Sequence, residues 1–192
     1  MTAKLLDGRA LARRLRADVS QIVREMQKRG ERQPHLASLQ IGDDHVSAIY
    51  VRNQQTACRK AGIKFSRWHL DADTTQDEVI EYVHTLNQNR SNSGIILQMP
   101  VPGHISGRAV QAEIAPEKDV EGVSPRNLGH VVMGGRLLPP CTPAAVLELL
   151  GETGVELAGA DVCVVGHSEI VGKPLALMLL DRLATVQVCH HG

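Results

Sequence analysis

The sequence is poor in aromatic residues and in long apolar runs. Aromatic side chains make up 2% of the 192 residues although 43% are hydrophobic, so a core has to be built from Leu, Val, Ile and Ala. No apolar run approaches the ~20 residues that a membrane-spanning helix needs. We therefore expect no membrane partner, and a chain of this length fits one large or two small domains.

The sequence also lacks a charge excess of either sign. Basic and acidic side chains both number 21, which gives no support for a nucleic-acid partner. The Arg-rich start could suggest a transit peptide, but Asp7 and Asp18 argue against one. No internal repeat or low-complexity tract is present. The composition favours a cytoplasmic protein.

The cysteines lack the spacing of a disulfide frame or of a metal centre. The four are Cys58, Cys141, Cys163 and Cys189, with no C-x-x-C pair. We expect them to be small buried hydrophobic residues in a reducing compartment. The run of Cys189, His190 and His191 could suggest a metal ligand set. Adjacent strand residues point to opposite faces and no further ligand spacing follows, so we predict no metal.

Strand-like and helix-like segments alternate along the chain. Strands are predicted at 35–42, 63–70, 93–102, 161–165 and 184–189, and helices at 46–61, 74–88, 142–154 and from about 172. Such alternation predicts βαβ units, with a parallel sheet and helices on both of its faces. The fold class is therefore α/β. Residues 103–140, richer in Gly, Pro and charge, are predicted to be a binding segment or a linker between domains.

Polar residues occupy places where a core would be expected. In "SAIYVRNQQTACRKAG" (47–62), helical spacing puts Tyr50 and Gln54 on the same face as Cys58 and Ala61. Gln98 ends the apolar stretch "GIILQ", and ligands of parallel sheets lie at the carboxyl ends of strands. Gln98 is therefore a candidate ligand contact, with a glutamine that merely caps a loop as the alternative.

The stretch "GHSEIVGKP" follows a predicted buried strand and opens a helix. Gly166 and Gly172 remain of a dinucleotide fingerprint, whereas Ser168 occupies the place of its second glycine. A helix N-terminus after a tight turn suits a pyrophosphate, although a purely structural strand-turn-helix is the alternative. The second strand ends without the carboxylate that usually holds the ribose of NAD. We therefore expect NADP, with NAD possible.

Four stretches in this order resemble one known family. They are "YVRNQQTACRKAGI", "GIILQMPVPGHI", "PEKDVEGVSPRNLG" and "VVGHSEIVGKP" with "ATVQVCHHG" after it, and "PCTP" at 140–143 matches as well. Together they resemble the bifunctional methylenetetrahydrofolate dehydrogenase/cyclohydrolase family (FolD type) over residues 4–192. The resemblance implies a three-layer α/β catalytic domain at 1–140 and a Rossmann NAD(P)-binding domain that begins at 141 and is incomplete at 192.

The resemblance also implies an activity and a set of site residues. It implies oxidation of 5,10-methylenetetrahydrofolate to the methenyl form with NADP, then hydrolysis to 10-formyltetrahydrofolate, in a homodimer that binds tetrahydrofolate derivatives. Tyr50, Gln54 and Gln98 would be catalytic, and Tyr50, Gln98, Pro100 and Glu121 would bind substrate. The residues implied at the dinucleotide are Gly166, His167, Ser168, Ile170, Gly172, Pro174 and His191.

The chain departs from the family pattern at ligand positions. Gln54 stands where the family has a lysine, Glu121 where it has aspartate, His167 where arginine is common and His191 where serine is usual. A lysine can shuttle protons while water attacks the methenyl carbon, and glutamine cannot. We therefore hypothesise that hydrolysis is lost or weakened, whereas hydride transfer, which chiefly needs alignment, persists.

The resemblance leaves alternatives open. The sequence stops after the second predicted Rossmann strand, which leaves apolar surface and an open sheet edge. We expect that the sequence is incomplete, and the alternative is a partner that covers the edge. Two further functions remain: a non-catalytic folate-binding pseudoenzyme, and an oxidoreductase that acts on a related pterin.

Overall fold

A computed structural model describes residues 5–135 and 138–190, with the backbone alone for residues 45–47. The strands are β1 (His35–Ile41), β2 (Lys64–Leu70), β3 (Gly94–Leu97), β4 (Asp161–Val165) and β5 (Thr185–Cys189). The helices are α1 (Gly8–Lys28), α2 (His45–Ala61), α3 (Gln76–Gln88), α4 (Gly107–Ala112), α5 (Pro125–Val132), α6 (Cys141–Gly151) and α7 (Gly172–Leu180). Within the described ranges, no helix combines the length and the apolar character that crossing a membrane requires.

The first of two compact units, Ala12–Val120, contains a three-stranded parallel sheet in the order β2-β1-β3. One face of this sheet carries the apolar core. Its buried members are Ala37, Leu39 and Ile41 of β1, Val79, Val83 and Leu86 of α3, Ile95 and Leu97 of β3, and Val110 of α4. Because side chains alternate along a strand, Ser38 and Gln40 point to the opposite face. There Ser38 lies in a hydrogen-bonded chain with Gln54 of α2, so helices pack on both faces as predicted.

The second unit comprises the described residues before Ala12 and those after Val120. Its strands β4 and β5 are parallel and joined through α7, which is the βαβ connection that the sequence predicts. Leu147 of α6, Val164 of β4 and Leu179 of α7 form its core. The other face of the sheet is open in the described residues, and Val165 is 86% exposed there. The α/β class with parallel sheets is confirmed.

Residues 103–140 are more ordered than a linker. They contain α4 and α5, which begin after Ser106 and Ser124, each of which accepts a hydrogen bond from the third residue beyond it. The sequence predicted no helix here, because the Gly and Pro residues obscure these helix-capping serines. The next helix, predicted at 142–154, begins one residue earlier, at Cys141 after Pro140, and ends at Gly151.

Three of the four cysteines are exposed, which corrects the expectation that all are buried. Cys58 is buried, whereas Cys141, Cys163 and Cys189 are exposed. The strand alternation explains two of them, since Cys163 and Cys189 point away from the α6–α7 core. Their sulfur atoms lie 3.4 Å apart across neighbouring strands. The described residues contain no cluster of three His, Cys, Asp or Glu side chains that could hold a metal ion.

Helix α3 begins with a reciprocal capping box. The Thr75 hydroxyl accepts from Glu78 N, and the Glu78 carboxylate accepts from Thr75 N at 2.8 Å. The Glu78 carboxylate accepts from both the hydroxyl and the backbone N–H of Thr75, and these two hydrogen bonds hold the pKa of Glu78 below its usual value. Because the pKa of Glu78 is lower in the folded state, the capping box contributes stability at neutral pH. That stability is lost as the pH falls through the folded-state pKa of Glu78. Thr75, rather than Thr74, is therefore the N-cap.

We expect Thr75→Ala to lower the free energy of unfolding by about 1 kcal/mol at neutral pH, because it removes the cap that holds α3. Thr74→Ala is the matched control: among the described residues Thr74 forms hydrogen bonds through its backbone, to Asp71 and His104, and none through its hydroxyl. It should change stability by less than about 0.5 kcal/mol. Urea titration followed by circular dichroism measures both. Equal losses in the two variants would contradict the assignment of the cap.

Candidate active site

Helix α2 carries the polar pair that the sequence singles out. Tyr50 is 62% exposed, Gln54 is half-buried and Cys58 is buried, so one helix face runs from solvent into the protein. The four-residue spacing places each side chain about one turn beyond the last. Burial raises the pKa of the Cys58 thiol and keeps it neutral at the inner end of this face. The outer end can therefore meet a ligand, whereas the inner end anchors the helix.

Gln98 meets this face from the end of β3. Its backbone N–H donates to Leu39 O at 2.8 Å, which continues the pairing of β3 with β1 and holds the residue in place. The side chain is only 5% exposed. Its Nε2 donates to Gln54 Oε1 at 2.8 Å and to Ser38 Oγ at 3.0 Å. The structure thus brings Gln54 and Gln98, which are 44 residues apart, into direct contact.

Ser38 is the member of this group that the sequence reasoning missed. It is fully buried in β1, on the sheet face opposite the apolar core. Gln40, two residues on, is also buried and accepts a hydrogen bond from Arg67 Nη2 at 3.0 Å. Polar residues two apart in the otherwise apolar strand "HLASLQI" were the available signal. They mark a polar strip along β1.

No charged side chain in the described ranges hydrogen-bonds to Gln54 or Gln98. Arg52 and Lys60 of α2 are exposed. Lys118 donates from Nζ to the backbone oxygens of Asn87 and Asn89 at the end of α3, and burial lowers its pKa. Among the described residues, therefore, no ammonium is hydrogen-bonded to the amide pair in place of a lysine at position 54.

The remaining predicted substrate residues lie in two places. Pro100 is exposed two residues beyond Gln98, after a cis peptide bond. Glu121 is half-buried in the second unit, and its backbone oxygen accepts from Cys141 N at 3.3 Å. Gly122 follows it at φ +68°, and an added Cβ would lie 2.4 Å from the carbonyl carbon of Pro139. Close packing at this glycine thus joins the "EG" and "PPCTP" stretches.

The predicted dinucleotide turn is held closed by backbone contacts. Gly166 has φ +122°, which favours glycine, and its N–H donates to Cys189 O at 2.7 Å. Gly172 begins α7, and an added Cβ there would lie 2.1 Å from Gly166 O. Lys173 N donates to Ser168 O at 3.0 Å. Both glycines that remain of the fingerprint are therefore required by the turn itself.

The other predicted cofactor residues surround this turn. His167 and His190 are in edge-to-face contact with ring centroids 4.8 Å apart. Ser168 Oγ accepts from Gly172 N, Ile170 is exposed, and Pro174 is buried in the first turn of α7. His191 lies outside the described residues. His190 was not proposed for the cofactor, although its place after β5 is a signal for one.

A cavity of about 880 Å³ opens beside the turn. Gly166, His167, Ser168, Gly172 and His190 line one part, and apolar side chains of β4 and α7 line the rest. An added Cβ at Gly166 would meet nothing within 4 Å, so backbone and open space adjoin there. The N-terminal end of α7 offers a positive dipole at the same place. These residues fit a dinucleotide.

Family comparisons cover most of the chain. The model of the tetrahydrofolate dehydrogenase/cyclohydrolase catalytic domain matches residues 6–121. The model of the NAD(P)-binding domain of the same family matches residues 140–192. Both halves of the chain thus match domains of one family, in the order that the resemblance implies.

Individual relatives belong to the family that the domain models indicate. The chain is 44% identical over 190 residues to bifunctional protein FolD of Bacillus licheniformis, covering 99% of this chain and 66% of that protein. The FolD crystal structure from Campylobacter jejuni superposes with a TM-score of 0.93 at 37% identity, over 97% of this chain and 66% of the other. The Trypanosoma brucei enzyme, complexed with NADP and inhibitor, superposes at 0.91 and 34% identity, over 99% and 65%.

This chain therefore spans about two thirds of the length of the curated relatives that it matches. The identity and the coverage of both domain models confirm the resemblance drawn from the sequence motifs. The chain belongs to the tetrahydrofolate dehydrogenase/cyclohydrolase family.

Proposed function

We propose that the protein oxidises 5,10-methylenetetrahydrofolate to 5,10-methenyltetrahydrofolate with NADP, and that the hydrolysis to 10-formyltetrahydrofolate is weakened. The observation that carries this proposal is the 2.8 Å hydrogen bond between Gln98 and Gln54. It keeps the polar pair aligned at the carboxyl end of β3 without a titratable group. An aligned neutral site suits hydride transfer better than proton transfer.

In this proposal four side chains hold the substrate. Tyr50, exposed on α2, stacks on the pterin near the reacting carbon, and Pro100 lines the same ligand. Gln98 hydrogen-bonds at the reaction centre. The Glu121 carboxylate accepts the paired N–H donors of the amino-pyrimidine edge. The glutamate arm is one methylene longer than the aspartate of the family, so the pterin sits at a shifted depth.

Hydrolysis requires a group that can move a proton as water attacks the methenyl carbon. Glutamine donates and accepts hydrogen bonds but cannot exchange a proton usefully near pH 7. Arg52 and Lys60 are exposed on other parts of α2, and the Cys58 thiol has a raised pKa. None of these side chains supplies the missing acid or base, so hydrolysis of the methenyl form is weakened in this proposal.

The dinucleotide would be held by the turn between β4 and α7. Gly166, Gly172 and Pro174 shape the backbone, Ser168 lines the cavity, and Ile170 is exposed two residues beyond Ser168. His167 and His191 are proposed to meet a 2′-phosphate, since histidines rather than a carboxylate come directly after β5. When bound, NADP supplies the hydride acceptor. The Trypanosoma brucei relative is complexed with NADP, which supports this choice of cofactor.

The assembly and the domain boundary are proposed on the family likeness. We propose a homodimer in the cytoplasm, with a catalytic domain at 1–140 and a dinucleotide-binding domain from 141. The two family models, at 6–121 and 140–192, support a division near that boundary.

The first prediction from the proposed function concerns turnover. We expect the purified protein, given 5,10-methylenetetrahydrofolate and NADP, to produce methenyltetrahydrofolate and NADPH in equal amounts, with the methenyl product persisting. Absorbance of both products, followed together, measures this. If both signals stay flat while folate still binds, the protein is a folate-binding pseudoenzyme. Rapid loss of the methenyl signal would instead contradict the proposed loss of hydrolysis.

The second prediction concerns position 54. We expect Gln54→Lys to raise methenyl hydrolysis by about 10²–10⁴-fold, because it restores a general acid–base group beside Gln98. Gln55→Lys is the matched control, since Gln55 is the next residue of α2 and is exposed. It adds the same charge away from Gln98 and should leave hydrolysis unchanged. Equal rates in the two variants would show that position 54 does not limit hydrolysis.

The third prediction concerns the turn. We expect Gly172→Ala to weaken NADP binding at least tenfold, about 1.4 kcal/mol, because the new Cβ would displace the backbone at Gly166. Gly151→Ala is the control, since an added Cβ there meets nothing within 4 Å. Titration of NADP by fluorescence, with circular dichroism as a check of folding, measures both. Unchanged NADP affinity in folded Gly172→Ala protein would remove the turn from the proposed cofactor site.

A further inference from the structure

Both N–H groups of the Gln98 side-chain amide form hydrogen bonds within the protein. Nε2 carries two N–H donors, and they are taken by Ser38 Oγ at 3.0 Å and Gln54 Oε1 at 2.8 Å. The carbonyl oxygen Oε1 receives no hydrogen bond from the residues that the structure describes, although the residue is only 5% exposed. Gln98 therefore offers a ligand an acceptor and no donor.

We propose that Ser38 and Gln54 orient Gln98 so that the site holds the cationic methenyl form of the folate more tightly than the neutral methylene form. This inference rests on the proposed function and names the ligand state that the site favours. Ser38 acts through Gln98 and is therefore a positioning residue.

The chemistry of the oxidation explains why the orientation matters. The C–H bond of the bridging methylene carbon breaks, and the hydride leaves with both electrons to the nicotinamide of NADP. That carbon then forms an amidinium group with the two folate nitrogens that flank it, and these nitrogens share the positive charge. A carbonyl oxygen is the negative end of an amide dipole, so Gln98 Oε1 attracts that charge. The neutral methylene substrate gains no such attraction.

The residue at position 54 determines the orientation of the Gln98 amide and the charge beside the ligand. A lysine only donates, so it would draw Gln98 Oε1 toward itself and turn Nε2 to the ligand. Its ammonium would also repel a cationic ligand at short range. Gln54 does neither, because it carries no charge and accepts from Nε2 through Oε1.

Ser38 supplies the second fixed point. It lies in the central strand β1, where it is fully buried and paired on both sides by β2 and β3. Such a residue has little freedom to move, so its hydroxyl sets the plane of the Gln98 amide. Without this hydroxyl one N–H of Gln98 would have no partner in the protein, and the amide could turn.

The test compares the dissociation constants of 5,10-methenyl- and 5,10-methylenetetrahydrofolate. They are measured without dinucleotide, so that no hydride is transferred, and by rapid mixing, so that binding to Gln54→Lys is read before the methenyl ligand is hydrolysed. We expect the purified protein to bind the methenyl form at least tenfold more tightly. Ser38→Ala should reduce this ratio severalfold, mainly by weakening the methenyl complex, and Ser38→Thr should preserve it. Gln54→Lys should reduce the ratio more than tenfold.

Ser66→Ala is the matched control. Ser66 is a serine of the same sheet whose hydroxyl contacts His35 rather than Gln98, and the ratio should not change. If Ser38→Ala fails to fold, Gln54→Met, which keeps the length of the side chain and removes the acceptor, should lower the ratio in its place.

The possible results distinguish the preference for the methenyl form, the orientation by Ser38 and Gln54, and the proposed function. Equal affinities for the two ligands in the unaltered protein would overturn the inference while leaving the proposed dehydrogenase intact. A ratio that survives Ser38→Ala and Gln54→Lys would overturn the orientation by these residues. Absence of binding to either ligand would overturn the proposed function together with the inference.

Discussion

The amide of Gln98 is almost wholly buried, and a buried amide has to find a partner for each of its N–H groups. Ser38 of β1 and Gln54 of α2 are those partners, so one side chain ties the central strand, its neighbour and a helix together. Leaving one donor without a partner costs about 1–3 kcal/mol. The position of Gln54, and with it that of Tyr50 one turn away, is therefore coupled to the end of β3. The candidate site is an extension of the packing of the sheet.

In the second unit, close backbone packing at two glycines links separate segments, as the Gln98 amide does in the first unit. Gly122 lies against Pro139, and Gly172 lies against Gly166, at distances that leave no room for a Cβ atom. These contacts explain why Gly122 occurs together with the stretch around Pro139, and Gly172 together with Gly166. A βαβ unit could be built from many sequences, but this turn requires glycine where the helix meets the strand.

Much of the architecture follows from the sequence alone. Alternating apolar strands and amphipathic helices predict the parallel sheets, and Gln54 and Gln98 stand out because they are polar at apolar positions. Helix α4 was missed since it has only six residues and follows a stretch rich in Gly and Pro. Ser38 was missed because its role depends on the register of β1 with β3, which joins residues 60 apart in the chain. Local patterns carry no information about such pairing.

The Gln98 amide also bears on how the two chemistries of the family are related by descent. A serine hydroxyl can either donate or accept, so Ser38 would satisfy Gln98 in either direction of its amide. Replacing Gln54 by lysine, which the genetic code allows through a single base change, would turn that amide, with Ser38 then donating to Gln98 Oε1 and Nε2 facing the ligand. A lineage could therefore cross between an amide and an ammonium in one step while Ser38 keeps its contact with Gln98. The scaffold makes gain or loss of the proton-transferring residue a reversible event.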